Sequence, residues 1–259
     1  MPDENAMREH FIGVMGAQPW ASHAPRQPRQ AKARQYLSLE QLENIWAALG
    51  HSRRLGIVPN ETLDIHFDKG ELMDPYRWAR PCLRAFLKLA RQWIERKGHQ
   101  TAVIWVLENR GDGGGYGIHA HVLIYVPPVL ATRFHQLKRK WARTAGLNVS
   151  IAGVIKRKPL PTLNAVKGKL RYMSKDLEPR HLPMFQDSDG RIHLDDREKP
   201  SDQPIYGKRC GVSRNIDAKA RRSFQPSPMP ATVAGLSSGE GRQVPIKIRD
   251  EYSTAGLAA

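Results

Sequence analysis

The segment Gly117-Ile118-His119-Ala120-His121-Val122-Leu123-Ile124-Tyr125-Val126 constrains this chain more than any other. Side chains on an extended strand alternate between two faces, so His119 and His121 share one face while Ile118, Ala120, Val122 and Ile124 line the other. The apolar face demands a packed layer beneath it, and the two imidazoles converge on one point above it. Paired imidazoles of this kind suit a divalent metal ion.

The neighbouring sequence supplies partners for such a strand. Ala102-Val103-Ile104-Trp105-Val106-Leu107-Glu108 is rich in β-formers, and a glycine-rich connection from Gly111 to Gly117 leads into the histidine strand, which predicts an antiparallel hairpin. Antiparallel pairing brings the Glu108 carboxylate beside His119 and His121, completing a set of two imidazoles and one carboxylate with open positions left on the ion. Thr62 to Phe67 alternates like a further strand, and Leu147 to Ile155 is expected to be another.

Helices are marked by caps and by apolar spacing. Ser38-Leu39-Glu40-Gln41 matches a capping box, with Leu39, Leu42, Ile45, Trp46 and Leu49 following at helical spacing until Gly50. Asp74-Pro75 opens a helix whose stripe of Ala79, Leu83, Phe86, Leu87, Ala90 and Ile94 ends before Gly98. Pro127-Pro128 closes the histidine strand, and Leu130, Phe134, Leu137 and Trp141 mark the core face of a third helix. Leu163, Val166, Leu170, Met173 and Leu177 repeat at spacings of three and four and predict a fourth. The expected fold is α/β (α+β), a central, mainly antiparallel sheet with flanking helices. Residues 1–34 mix Pro, Gln, Ala and Arg without periodicity and read as a flexible basic arm; 35–222 form the domain, and 223–259 read as a flexible tail.

Charge narrows the partner. The 259 residues carry a formal net charge of +16. From Gly113 to Lys175 there is no Asp or Glu but there are twelve Lys or Arg, a one-sign stretch that contains the histidine pair. Such a stretch reads as the footprint of a polyanion, with nucleic acid ahead of a membrane surface. Arg133, Lys138, Arg139, Lys140, Lys156, Arg157 and Lys158 are the candidate DNA-binding residues within it, and Lys208 and Arg209 follow in a late basic patch, Tyr206 to Asn215. A ribosome-associated or generally basic protein would show the same charge. Two cysteines, Cys82 and Cys210, build neither a disulfide framework nor a four-cysteine zinc site. With no apolar run of about 18 residues and no signal-peptide core, the expected compartment is the cytoplasm.

Tyr172-Met173-Ser174-Lys175 adds a nucleophile. Tyr172 and Lys175 are three positions apart, roughly 60° around a helix axis, and lie away from the apolar stripe. A cation beside a phenol favours tyrosinate, which attacks phosphorus competently. Tyr116 in the glycine-rich turn and Tyr125 on the histidine face are the competing tyrosines.

Glu108, His119-Ala120-His121 and Tyr172-x-x-Lys175, in this order, resemble the HUH endonucleases, specifically the rolling-circle replication initiators of plasmids and phages. The resemblance spans roughly residues 60 to 216 and takes in the strand from Thr62 to Asp68 and the stretch from Gly207 to Arg214. It implies a five-stranded palm and a Mg²⁺ or Mn²⁺ ion held by His119, His121 and Glu108. Tyr172 would be the nucleophile and Lys175 its neighbouring lysine. The implied reaction nicks single-stranded DNA at a replication origin and leaves a 5′-phosphotyrosyl link. Some phage initiators carry a second tyrosine four residues after the first; here that position is Asp176, as in the single-tyrosine subclass. No G-x-x-x-x-G-K-[ST] loop is present, so unwinding calls for a host helicase, and a host polymerase would extend the 3′ end.

Two other readings stay open, and a third lacks a residue it needs. A transposase or conjugative relaxase shares these motifs. A non-catalytic nucleic-acid-binding protein with a structural metal explains the charge without Tyr172. A histidine-triad nucleotide hydrolase would need its third histidine where Leu123 stands.

Overall fold

A computed structural model describes residues 33–69, 71–72, 75–109, 117–181 and 205–224. In chain order the elements are β1 (Ala33–Arg34), α1 (Leu39–Arg54), β2 (Glu61–His66), α2 (Pro75–Arg96), β3 (Val103–Asn109), β4 (Ile118–Ile124), α3 (Ala131–Thr144), β5 (Ile155–Pro159), α4 (Leu163–Met173), β6 (Ile205–Tyr206), β7 (Cys210–Val212) and α5 (Ala218–Ser223). All of them fall in the unit that ends at Ser223.

Five strands form one sheet in the order β5-β2-β4-β3-β7, with every neighbouring pair antiparallel. The histidine strand β4 is central, as its apolar face requires. Leu63, Ile65, Trp105, Leu107, Ala120 and Val122 pack on one side of the sheet against α2 and α3, where Phe86, Ile94, Phe134 and Trp141 complete the layer. Ile104, Val106 and Leu123 pack on the other side against α1 and α4, with Leu42, Ile45, Val166, Leu170 and Met173. The fold is therefore α+β, an antiparallel sheet between helical layers. Close approach at the β3–β7 pair needs a glycine: a Cβ on Gly211 would lie 2.7 Å from the Trp105 ring.

Local signals explain most boundaries. Ser38 accepts from the Gln41 amide while the Gln41 side chain accepts from the Ser38 amide, the capping box expected for α1. Thr162 caps α4 by accepting from the Ala165 amide. Pro75 is the first helical residue of α2, and Gly98 follows its end at φ +76°; Asp74 lies outside the described residues.

Four boundaries differ from expectation. Gly50 does not stop α1, which continues to Arg54, because Leu49, His51 and Ser52 are buried around it and packing outweighs the roughly 1 kcal/mol cost of a helical glycine. No strand occupies 147–154, which is turn; the strand there is β5, whose backbone pairs with β2 while its side chains are mostly exposed. The helix containing Tyr172 ends at Met173, and Leu177 instead bridges Leu37. Ala33 and Arg34, placed with the N-terminal arm, pair with Ile205–Tyr206.

Candidate metal centre

Register assembles the centre in two rows across the sheet. His66 of β2 stands opposite His119 of β4, which stands opposite Glu108 of β3. Two residues along, Asp64, His121 and Val106 form the next row, and β5 adds Lys156 opposite Asp64. Strand alternation puts all of these on the sheet face covered by α1 and α4.

Glu108, His119 and His121 are buried, at 0%, 3% and 4% exposure. His119 Nε2 and His121 Nε2 each lie 3.2 Å from Glu108 Oε2 and 3.2 Å from each other, so the three atoms form a nearly equilateral triangle. Donors bound to one ion at about 2.1 Å are separated by about 3.0 Å at octahedral angles and 3.4 Å at tetrahedral ones, and the observed edge lies between these values.

The hydrogen bonds outside the triangle make the same demand. His119 Nδ1 donates to the Gly117 carbonyl at 3.2 Å, and His121 Nδ1 donates to Asp64 Oδ1. Each imidazole spends its Nδ1 proton in this way, so in the neutral rings both Nε2 lone pairs and a carboxylate oxygen face one another. Three acceptors at this spacing repel unless a proton or a cation sits among them. Glu108 Oε1 is also buried and has no hydrogen-bond partner among the described residues. These residues fit a divalent metal ion, and they are the one group of His, Cys, Asp and Glu with that geometry among the described residues.

The electrostatics are those of mutually dependent charges. Burial pushes the Glu108 carboxyl up, but His121, His119 and Lys175 together hold it well below its ordinary value. For His121, burial acts downward and is outweighed by the Glu108 charge and the Asp64 hydrogen bond, leaving it raised. Asp64 is lowered by His121 and Lys169 against its own burial. His66 stacks on His119 with centroids 5.4 Å apart, and burial together with the His119, Lys69 and Lys156 charges pushes it down to about 4.

Gly117 is fitted to this place. Its φ is +26°, and a Cβ there would lie 1.7 Å from Asp68 Oδ2, so the turn that delivers its carbonyl to His119 admits no side chain.

The structure brings Tyr172 and Lys175 to the same centre. The half-buried Tyr172 ring meets His121 edge-on, with centroids 5.1 Å apart. Lys175 is not on the helix surface as expected. It sits in the turn after α4, 6% exposed, with Nζ 2.8 Å from Glu108 Oε2 and 3.9 Å from the Tyr172 ring centroid. Tyr125 packs with the apolar layer between sheet, α1 and α4, and Tyr116 lies outside the described residues.

Arg209, expected at a DNA-binding surface, lies inside the protein. It is 0% exposed and pairs with the equally buried Asp176, while its guanidinium also donates to the Gln35 carbonyl, so it ties β7 to the turn after α4 and offers nothing to DNA. A basic patch in sequence does not reveal that one of its members is neutralised inside. The other cations separate onto two faces. Arg133, Arg139 and Lys140 are exposed and Lys138 is half-buried on α3, across the sheet from the histidines. Arg157 points to that same side, where Glu61 accepts from it at 3.1 and 3.0 Å and also meets His135 Nε2 at 2.8 Å. Lys156 and Lys158, opposite Asp64 and Thr62, share the histidine face, and Lys208 is exposed after β6.

Asp64, His66 and Lys169 were not singled out from the sequence. The signal for the first two was present: within Thr62-Leu63-Asp64-Ile65-His66, polar residues occupy one face at the same period as His119 and His121.

No family model, no curated protein and no solved structure matches the chain. Among the described residues no helix is long and apolar enough to cross a membrane. Fold and site together define an α+β domain with a candidate divalent-metal centre on its sheet.

Proposed function

We propose that the protein is a metal-dependent endonuclease that nicks single-stranded DNA through Tyr172, acting at a replication origin. The observation that carries this reading is the placement of a tyrosine ring directly against a ligand of a three-donor centre, flanked by lysines. Glu108, His119 and His121 would hold Mg²⁺ or Mn²⁺, which when bound supplies polarisation of a phosphate oxygen. Tyr172 Oη then forms a bond to phosphorus while the bond from phosphorus to the 3′ oxygen breaks; the phenol proton ends on that oxygen. The products are a 5′-phosphotyrosyl link and a free 3′-hydroxyl that a host polymerase could extend, with a host helicase unwinding. Lys175 orients the Glu108 carboxylate and sets positive charge against the tyrosine ring. Lys156 and Lys158 lie on the face where the strand would run.

The burial of all three ligands favours a second reading, a structural metal in a non-catalytic DNA-binding protein. One experiment separates the two. Labelled single-stranded DNA and Mn²⁺ should give a covalent adduct on a denaturing gel with the wild-type chain and none with Tyr172→Phe, which removes one hydroxyl and keeps the ring. An adduct that persists and maps to Tyr125 or Tyr116 overturns the nucleophile; bound metal without any adduct leaves the second reading.

A further inference from the structure

We propose that Asp64 and Lys169 form a positioning dyad that fixes His121 as a metal ligand; this rests on reading Glu108, His119 and His121 as a metal centre, and not on the DNA reaction.

Asp64 is the residue directly opposite His121 in the β2–β4 register, and its Oδ1 accepts the His121 Nδ1 proton. A carboxylate in that position locks the tautomer, holds the ring plane and makes the opposite nitrogen a better donor. A lone carboxylate on a sheet surface could swing toward solvent, since the Asp64 side chain keeps 26% exposure. Lys169 prevents this. It extends from α4, and its Nζ lies 3.0 Å from the same Oδ1 and 3.1 Å from His121 Nδ1, with only 16% of its side chain exposed. One carboxylate oxygen is thus held between the imidazole it orients and an ammonium from another element.

The arrangement parallels that of Lys175. Lys175 touches Glu108 and the Tyr172 ring; Lys169 touches Asp64 and comes within 4.6 Å of the same ring centroid. Each carboxylate that meets the imidazoles is therefore tied by a lysine to the tyrosine. The two lysines differ in one useful respect: Lys175 contacts the Glu108 oxygen that faces the two Nε2 atoms, whereas Lys169 contacts the outer carboxylate and the far nitrogen of His121, and no atom of the triangle. Removing Lys169 leaves Glu108 and the Nε2 atoms of both histidines in place.

The test is Mn²⁺ binding to the full chain, read from the electron-paramagnetic signal of free Mn²⁺, with thermal unfolding measured on each variant. Asp64→Asn, which keeps an acceptor oxygen but removes the charge behind the ring and the counterion of Lys169, should weaken Mn²⁺ by about 10- to 100-fold, the usual loss when an outer partner of a histidine ligand is changed. Lys169→Met should weaken it in the same direction by a smaller factor, and Lys169→Arg should return it to within about threefold of wild type. The double variant should bind Mn²⁺ within about twofold of Asp64→Asn alone, because Lys169 acts through Asp64. Additive losses, or wild-type affinity in Lys169→Met, overturn the dyad. If Asp64→Asn does not fold, the Met and Arg variants at 169 decide the matter by themselves. Failure of the wild-type chain to bind Mn²⁺ overturns dyad and metal centre together. Mn²⁺ coupling without a DNA adduct supports the dyad and removes only the proposed nicking activity.

Discussion

Replacing Asp176 by Asn tests the buried ion pair that holds the turn carrying Lys175. The substitution keeps the shape of the side chain and removes its charge, leaving the Arg209 guanidinium at 0% exposure with the Gln35 carbonyl as an uncharged acceptor. Breaking one side of a buried pair costs about 3–5 kcal/mol, because the surviving charge can neither reach water nor find a counterion. For a domain of this size 1 kcal/mol moves the melting temperature by about 2–4 °C, so the expected drop is about 6–20 °C. The measurement is urea unfolding at equilibrium together with a thermal scan. Replacing both partners by apolar residues, Arg209→Met with Asp176→Leu, should recover stability to within about 1 kcal/mol, since no charge is then buried. A loss below about 1 kcal/mol for Asp176→Asn would refute the reasoning. So would a double variant that is less stable than the single one.

Gly211→Ala should destabilise the protein by about 1–3 kcal/mol, because its Cβ would press on the Trp105 ring at the β3–β7 pair; unchanged urea unfolding would show that the pair has room. Neutralising Lys156 or Lys158 should make the salt dependence of single-stranded DNA binding shallower by about 0.7 per residue, while neutralising Arg133 or Lys140 on the opposite side should leave it unchanged; the reverse pattern would place the strand along α3. In chelator-treated protein, Asp64 and Glu108 are both held below their ordinary values. Their contribution to stability is therefore present above the usual carboxylate range and lost as pH falls through it and below. Asp64→Asn should flatten this acid limb in pH-dependent urea unfolding, and an unaltered limb would refute the assignment.

Some elements were legible because their signal is local. Ser38 with Gln41, Pro75 and Gly98 act within one turn of chain, and the elements begin and end where these residues stand. Other stretches obey longer-range forces. Gly50 stays helical because Leu49 and His51 are buried beside it. β5 carries no such local signal, because an edge strand is held by backbone hydrogen bonds to β2, and its Lys156-Arg157-Lys158 side chains show no apolar alternation.

For the site, the sequence by itself determined that His119 and His121 share a face and that a hairpin sets Glu108 beside them, because strand alternation and antiparallel pairing are properties of the backbone. It also placed Tyr172 and Lys175 within a turn of each other. Only the tertiary structure decided what surrounds them. Asp64 reaches His121 from a strand 57 residues away, Lys169 reaches Asp64 across 105, and Asp176 draws Arg209 into the interior across 33. The positively charged stretch likewise became two surfaces on opposite sides of one sheet. Composition records charge, but the faces to which charges are assigned follow from how strands pair and helices cover them, and that is settled by packing across the whole domain.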